Sequence, residues 1–331
     1  MERGDWKMGA LVDGRWETDE AGSAGRNGKF ERKETVFRDF VEDREGARFG
    51  PESGRYHLYV SYACPWAHRT LIARKLKRLE SHIGLSVVDP LMGKDGWAFG
   101  QDPEGTDDPV NGARYLREVY TAADPRYTGR VTVPVLWDKR DGTIVSNESS
   151  EILRMFNTAF NGLEGVDSGL DLYPEPLRQE IDAVNERIYR DINNGVYKTG
   201  FAGTQAAYED AFDALFARLD EMEERLARNR FLVGDRPTEA DWRFFVTLIR
   251  FDAVYLTHFK CNRKRVADYR NLSNYLRELY QVPGIAETVN VRHIKEHYFR
   301  SHESLNPKGI VPKGPELDFD GPHDRHRLLA A

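Results

Sequence analysis

Apolar and polar positions change period repeatedly along the chain, and each change predicts a different kind of element. Residues 1–54 mix Gly, Glu, Asp and Arg with scattered aromatics such as Trp6, Trp16, Phe30, Phe37 and Phe40. No period runs through them, so an extended N-terminal arm lying over a surface is expected, without chemistry of its own. At Tyr56 the pattern turns to the apolar alternation of Tyr-His-Leu-Tyr-Val, a short strand ending at Val60. Ser61 breaks it. Pro65, suited to a first helical position, restarts the chain as a helix with Leu71, Ile72, Leu76 and Leu79 on one face. A second strand, Leu85–Val88, follows Gly84 and completes a βαβ unit.

Residues 90–129 carry Gly, Asp, Pro and aromatics without periodicity and read as a long insertion, a feature more often functional than idle. Val131–Trp137 and Thr143–Val145 then flank Asp138-Lys-Arg-Asp-Gly142, whose Asp-Gly pair favours a tight reversal between antiparallel strands. Ser146-Asn-Glu-Ser149 offers capping side chains ahead of Ile152, Leu153 and Phe156, so a helix is expected from near Glu148. A βαβ unit followed by ββα, with a candidate reactive group between the first strand and first helix, is the layout of a thioredoxin-like α/β domain, here spanning 55–162. Beyond it the pattern is helical. Tyr208, Phe212, Leu215, Leu219, Met222 and Leu226 recur at spacings of three or four, and Thr238-Glu-Ala-Asp241 is a capping box ahead of Phe244 and Phe245. With further helices expected at 176–192, 268–280 and 284–298, residues 175–304 form an all-helical domain. Residues 305–331, rich in proline and glycine as far as Pro315, read as an irregular C-terminal tail.

Length and composition agree with two domains, because 331 residues exceed what one compact core usually holds. Hydrophobic residues at 40% and aromatics at 11% suffice for sizeable cores. A net charge of −6 without a basic stripe argues against nucleic acid or an anionic membrane as partner. No apolar run approaches the roughly 20 residues of a membrane helix, and the charged start is unlike a signal peptide, so a cytoplasmic location is expected. The two cysteines, Cys64 and Cys261, are too few and too far apart for a disulfide framework. Any thiol chemistry must therefore use single thiols.

Cys64 has the better setting. It sits in Ser61-Tyr-Ala-Cys64-Pro-Trp-Ala67-His-Arg69 at the start of a helix, where backbone N–H groups and the helix dipole stabilise a thiolate, with His68 and Arg69 nearby as sources of positive potential. A lone cytosolic cysteine is more commonly a small buried residue; the strand-to-helix turn bearing Cys-Pro outweighs that base rate for Cys64. Cys261, within an expected helical stretch, reads as structural. Where a dithiol enzyme would carry a second cysteine stands Ala67, so the resolving thiol must come from outside, and glutathione is the abundant cytosolic thiol. A cis peptide bond in Thr132-Val-Pro134 would expose the Val133 backbone to a bound peptide. Glu148 and Ser149 at a helix start offer a carboxylate for an ammonium group and N–H donors for a carboxylate, matching the γ-glutamyl end of glutathione, although a plain helix cap has the same pattern.

Tyr59-Val-Ser-Tyr-Ala-Cys-Pro-Trp-Ala-His-Arg69, Val133-Pro-Val-Leu-Trp-Asp138 and Ser146-Asn-Glu-Ser149 together resemble the glutathionyl-hydroquinone reductases, the Xi class of glutathione transferases. Arg243-Phe-Phe, His293-Ile-Lys-Glu-His-Tyr298 and Asn306-Pro-Lys-Gly-Ile-Val-Pro312 extend the resemblance over nearly the whole chain from Tyr56 onward. It implies a glutathione transferase fold, with a thioredoxin-like domain and an all-α domain, in a homodimer. It also implies reduction of glutathionyl-hydroquinones with release of glutathione disulfide and no need of metal, flavin or nicotinamide. By the same resemblance Cys64 is the nucleophile. Trp97, Arg130, Val133, Glu148 and Ser149 correspond to glutathione-binding positions, and Tyr197, Tyr255 and Tyr298 to tyrosines of the quinone pocket, Tyr197 and Tyr298 assisting catalysis. The phenolic hydroxyls have a rationale in hydrogen-bonding the electron-rich ring that leaves. Rival readings are an omega-like transferase acting on other glutathione adducts, a transferase that activates glutathione with a Ser or Tyr hydroxyl, and a non-catalytic ligand-binding relative.

Overall fold

A computed structural model of the chain describes residues 9–18, 28–30 and 34–328. Trp6, with other parts of the expected arm, and residues 329–331 of the expected tail lie outside the described residues. The described residues fall into two compact units, one taking 9–18, 34–170 and 292–311, the other 28–30, 171–291 and 312–328.

In the first unit, β1 (Ala10–Val12) and β2 (Arg15–Glu17) form an antiparallel hairpin within what was expected as an extended arm. Its turn is Asp13-Gly14, with φ of 48° and 76°, the left-handed pair of a tight hairpin. A side chain on Gly14 would place Cβ 2.0 Å from the Pro125 carbonyl oxygen. Leu11 exchanges two 2.9 Å backbone hydrogen bonds with Gly129, and Trp16 donates from Nε1 to the Lys94 carbonyl at 2.9 Å, so the arm is fastened to both ends of the expected insertion.

The sheet follows with β3 (Tyr56–Val60), α1 (Pro65–Leu76), β4 (Ile83–Val87), α2 (Leu116–Ala123), β5 (Val135–Asp138), β6 (Thr143–Ser146) and α3 (Ser149–Thr158). Strand order is β4-β3-β5-β6, with β3 and β4 parallel and the other pairs antiparallel. All five residues of β3 are buried, so the strand lies between covered faces and its apparent alternation carries no exposed side. Four local expectations are corrected. Helix α1 stops before Leu79, because Arg78 turns to a φ of 56°; β4 starts at Ile83, ahead of the expected Leu85. The insertion contains α2, whose Leu116, Val119 and Tyr120 are buried at helical spacing. The strand expected from Val131 begins only at Val135, just after the cis Val133–Pro134 bond.

The second unit is helical: α4 (Arg178–Ile188), α5 (Gly195–Gly200), α6 (Gln205–Arg228), α7 (Glu239–Arg250) and α8 (Arg270–Tyr280). Wider π-helical turns, Tyr189–Asn193 and Phe251–Tyr255, continue α4 and α7. The box at Thr238 forms as expected: Asp241 accepts from the Thr238 backbone at 2.8 Å and, buried, from the Tyr275 hydroxyl at 2.7 Å. The helix expected over 284–298 is instead a 3-10 turn, Ala286–Thr288, then extended backbone at Val289 and α9 (Val291–Ser301), which from Arg292 belongs to the first unit. No described helix is long and apolar enough to cross a membrane.

Candidate active site

The turn from β3 into α1 shapes the surroundings of Cys64. Ser61 accepts the Cys64 N–H on its carbonyl at 3.1 Å and the Ala63 N–H on its Oγ at 3.2 Å, which fixes a compact bend. Cys64 is the N-cap residue, with extended φ and ψ of −78° and 120°, and Pro65 is the first helical residue. The Cys64 carbonyl accepts the His68 N–H at 3.0 Å and closes the first turn. The first N–H groups of a helix have no carbonyl partner inside it, and they surround the side chain of the capping residue. Cys64 is half-buried, and its Sγ lies 3.6 Å from the Val133 carbonyl oxygen. Arg69, buried in α1, spreads its guanidinium 4.6 Å from the Trp66 ring and points Nη1 toward Ser149 Oγ at 3.5 Å.

The start of α3 is built from its own side chains. Glu148 is its N-cap and accepts from the Ser150 backbone at 3.1 Å and hydroxyl at 2.8 Å, while the buried Ser149 is the first helical residue. Tyr120, on α2, joins this segment to the Val133 segment. Its hydroxyl donates to the Thr132 carbonyl at 2.8 Å, accepts the Thr132 N–H at 3.2 Å, and accepts from Asn147 Nδ2 at 3.0 Å. Burial raises the Tyr120 phenol above its ordinary range, keeping it a neutral donor. Sequence reasoning missed Tyr120; the spacing of Leu116, Val119 and Tyr120 was the available signal.

Of the remaining positions, Arg130 is half-buried and its carbonyl accepts from the Tyr127 hydroxyl at 3.0 Å. Trp97 is nearly buried and stacks on His297, with ring centres 4.7 Å apart. Tyr298, buried on α9, lies edge-on to His302 at 5.5 Å. In the second unit Tyr197 and Tyr255 share an aromatic cluster with Phe259, whose ring is 5.4 Å from each. Tyr197 and Tyr255 thus come together, whereas Tyr298 belongs to the unit that holds Cys64. Cys261, expected within a helical stretch, is not helical. It follows the π-helical turn in irregular backbone, fully buried, and burial pushes its thiol pKa far up.

Asp102, Glu104 and His293 bring potential metal-ligand atoms within 4.8 Å of one another. Arg292 Nη2 occupies the same carboxylates, at 2.5 Å from Asp102 and 2.7 Å from Glu104, and holds the Asp102 carboxyl well below its usual pKa. The cluster is an ion-pair network that fastens the insertion to α9.

Two family models match, the glutathione S-transferase N-terminal domain over residues 63–159 and its C-terminal domain over 205–278. The glutathionyl-hydroquinone reductase YqjG of Escherichia coli K12 is 52% identical over 326 residues, covering 96% of this chain and 98% of that protein. Its glutathione-bound structure superposes with a TM-score of 0.88 at 50% identity, over 96% of this chain and 99% of that one. A Xi-class glutathione transferase from Natrialba magadii gives a TM-score of 0.92 at 52% identity, over 99% of both chains. The chain belongs to the glutathionyl-hydroquinone reductase family, the Xi class of glutathione transferases.

Proposed function

We propose that this protein reduces glutathionyl-hydroquinones to hydroquinones through a mixed disulfide between Cys64 and glutathione. The observation that carries the reading is the half-buried Cys64 at the N-cap of α1, 3.6 Å from the Val133 carbonyl, with alanine at the position one turn on. The Cys64 thiolate attacks the sulfur of the substrate's glutathionyl group. The carbon–sulfur bond breaks, its electron pair passes to the ring carbon, and that carbon takes a proton to give the hydroquinone. A second glutathione thiolate then attacks the mixed disulfide, releasing glutathione disulfide and returning Cys64 to its thiolate. Two electrons leave two glutathione sulfurs and reduce the ring carbon, so the cycle needs no metal, flavin or nicotinamide.

Trp97, Arg130, Val133, Glu148 and Ser149 hold glutathione in this reading, with Glu148 facing its ammonium group and the α3 N-terminus its carboxylate. Tyr197, Tyr255 and Tyr298 line the hydroquinone pocket, and the Tyr197 and Tyr298 hydroxyls stabilise the departing ring. The enzyme acts as a homodimer in the cytoplasm, without nucleic acid or membrane as partner. Intact-mass analysis after exposure to a glutathionyl-hydroquinone, with glutathione withheld, tests the mechanism. One glutathione on Cys64 and one equivalent of free hydroquinone are expected. A protein that stays unmodified in that experiment yet turns the substrate over once glutathione is supplied would sink it, and turnover confined to other glutathione adducts would point to an omega-like thiol transferase.

A further inference from the structure

Helix α9 carries His293, His297 and Ser301 at intervals of four residues, a spacing that puts them along one face. Each meets the insertion within the same compact unit. His293 Nε2 lies 3.1 Å from Asp102, His297 Nδ1 lies 3.0 Å from the Pro90 carbonyl oxygen, and Ser301 Oγ accepts the Met92 N–H at 2.9 Å. Arg292 adds the ion pairs to Asp102 and Glu104. The insertion is therefore pinned at residues 90–92 and again at 102–104, and Trp97 lies between the pins.

The Trp97 backbone is held from another side, its carbonyl accepting the Leu116 N–H at 3.0 Å where α2 begins. That bond leaves the direction of the indole open, since it constrains neither side-chain torsion. The indole is instead stacked on His297, ring centres 4.7 Å apart and planes 22° from parallel. The imidazole is itself fixed: because the Pro90 carbonyl can only accept, Nδ1 carries the hydrogen, and Ser301 Oγ stands 3.4 Å from the same nitrogen. A ring anchored on one edge by a backbone carbonyl presents a flat platform at a set angle.

We propose that His297 is a positioning residue for glutathione, acting through Trp97, whose indole it orients. This rests on the reading above in which Trp97 touches glutathione. His297 then acts on the glutathionyl site as a whole and not on the chemistry at sulfur, so its loss should weaken glutathione binding while leaving turnover at saturation nearly intact.

The test is a double-mutant cycle on the fully reduced protein, with binding of reduced glutathione measured by titration calorimetry for Trp97→Ala, His297→Ala and the double variant. A loss of about three- to tenfold is expected for His297→Ala, the order that one aromatic stack supports. The double variant should bind no worse than Trp97→Ala alone. His297→Phe, which keeps a ring but loses the Pro90 bond, should fall between His297→Ala and the parent, and it stands in if the alanine variant does not fold. A steady-state split, with KM for glutathione raised and kcat held, would add support that a merely structural role does not predict. Weak binding by Trp97→Ala with parental binding by His297→Ala overturns the positioning role, as do additive losses in the double variant. Parental binding by Trp97→Ala would remove Trp97 from the glutathione site and take this proposal with it.

Discussion

Cys64 and Cys261 carry the same group in opposite settings. Cys64 is half-buried at a helix start, whereas Cys261 is fully buried and its thiol is held protonated by desolvation. Cys64→Ser should therefore abolish reductase turnover while glutathione binding and thermal midpoint stay near parental values, and Cys261→Ser should leave turnover unchanged. Initial rates on one glutathionyl-hydroquinone at fixed pH check both, and a near-normal rate for Cys64→Ser would exclude it as nucleophile. His57, inside β3, supplies a pH prediction. It bonds Ser86 Oγ through Nε2 at 2.8 Å, and burial lowers its pKa from 6.5 to about 4. Between those values the unfolded chain binds a proton that the folded chain refuses, so stability is complete above pH 6.5 and falls as pH drops toward 4. The loss attributable to His57 is about 3 kcal/mol. Urea unfolding at pH 7 and pH 4.5 should show a smaller acid loss for His57→Asn than for the parent; equal losses would mean that other groups drive the pH dependence. Neither the burial of His57 nor the role of Tyr120 was legible beforehand, because both depend on which elements cover the sheet.

At the scale of elements, α1 offers a direct probe of the monothiol site. Ala67 lies one turn beyond Cys64 and is fully buried. Ala67→Cys restores a Cys-x-x-Cys spacing, so the new thiol should attack the mixed disulfide internally, at high effective concentration, and expel glutathione. After treatment with glutathione disulfide the variant should lose two hydrogens in mass and the parent gain a glutathione; a persistent adduct on the variant would count against the helix-start geometry. Filling a buried alanine site with sulfur should also cost about 1–3 kcal/mol in the reduced form. The tail supplies a second element. Read from sequence as irregular, it sends the fully buried Arg325 to the end of α6, where it donates to the carbonyls of Leu226, Asn229 and Arg230 at 2.6–2.7 Å. Arg325→Ala leaves those oxygens without that cap and should destabilise the protein by about 3 kcal/mol in thermal or urea unfolding. An unchanged midpoint would mean that the tail merely lies on the unit. The tail's proline and glycine content hid this strap, because composition reports the absence of periodic structure and not the presence of an anchor.

Across the whole molecule, the first unit is discontinuous in sequence: α9 comes from nearly the far end of the chain to hold residues 90–104. Arg292→Ala removes the ion pairs to Asp102 and Glu104. Amides of 90–104 should then exchange faster with solvent while those of β3 and β5 keep their protection. Uniform exchange across the unit, or none of this difference, would show that the insertion is held by other contacts. The elements with strong local signals were legible in the sequence: β3, the Pro65 start of α1, the turn at Gly142, the helix start at Glu148 and the capping box at Thr238. Each rests on interactions within a few residues, where period, capping and turn chemistry act directly. The motifs around Cys64, Pro134 and Glu148 also carried the family. Long-range packing alone makes the arm begin with a hairpin fastened to the insertion, ties Thr132 to Asn147 through Tyr120, and stacks His297 of α9 on Trp97. These pairings join positions tens to hundreds of residues apart. Their partners are chosen by chain topology and burial, to which the local pattern of apolar and polar residues is blind.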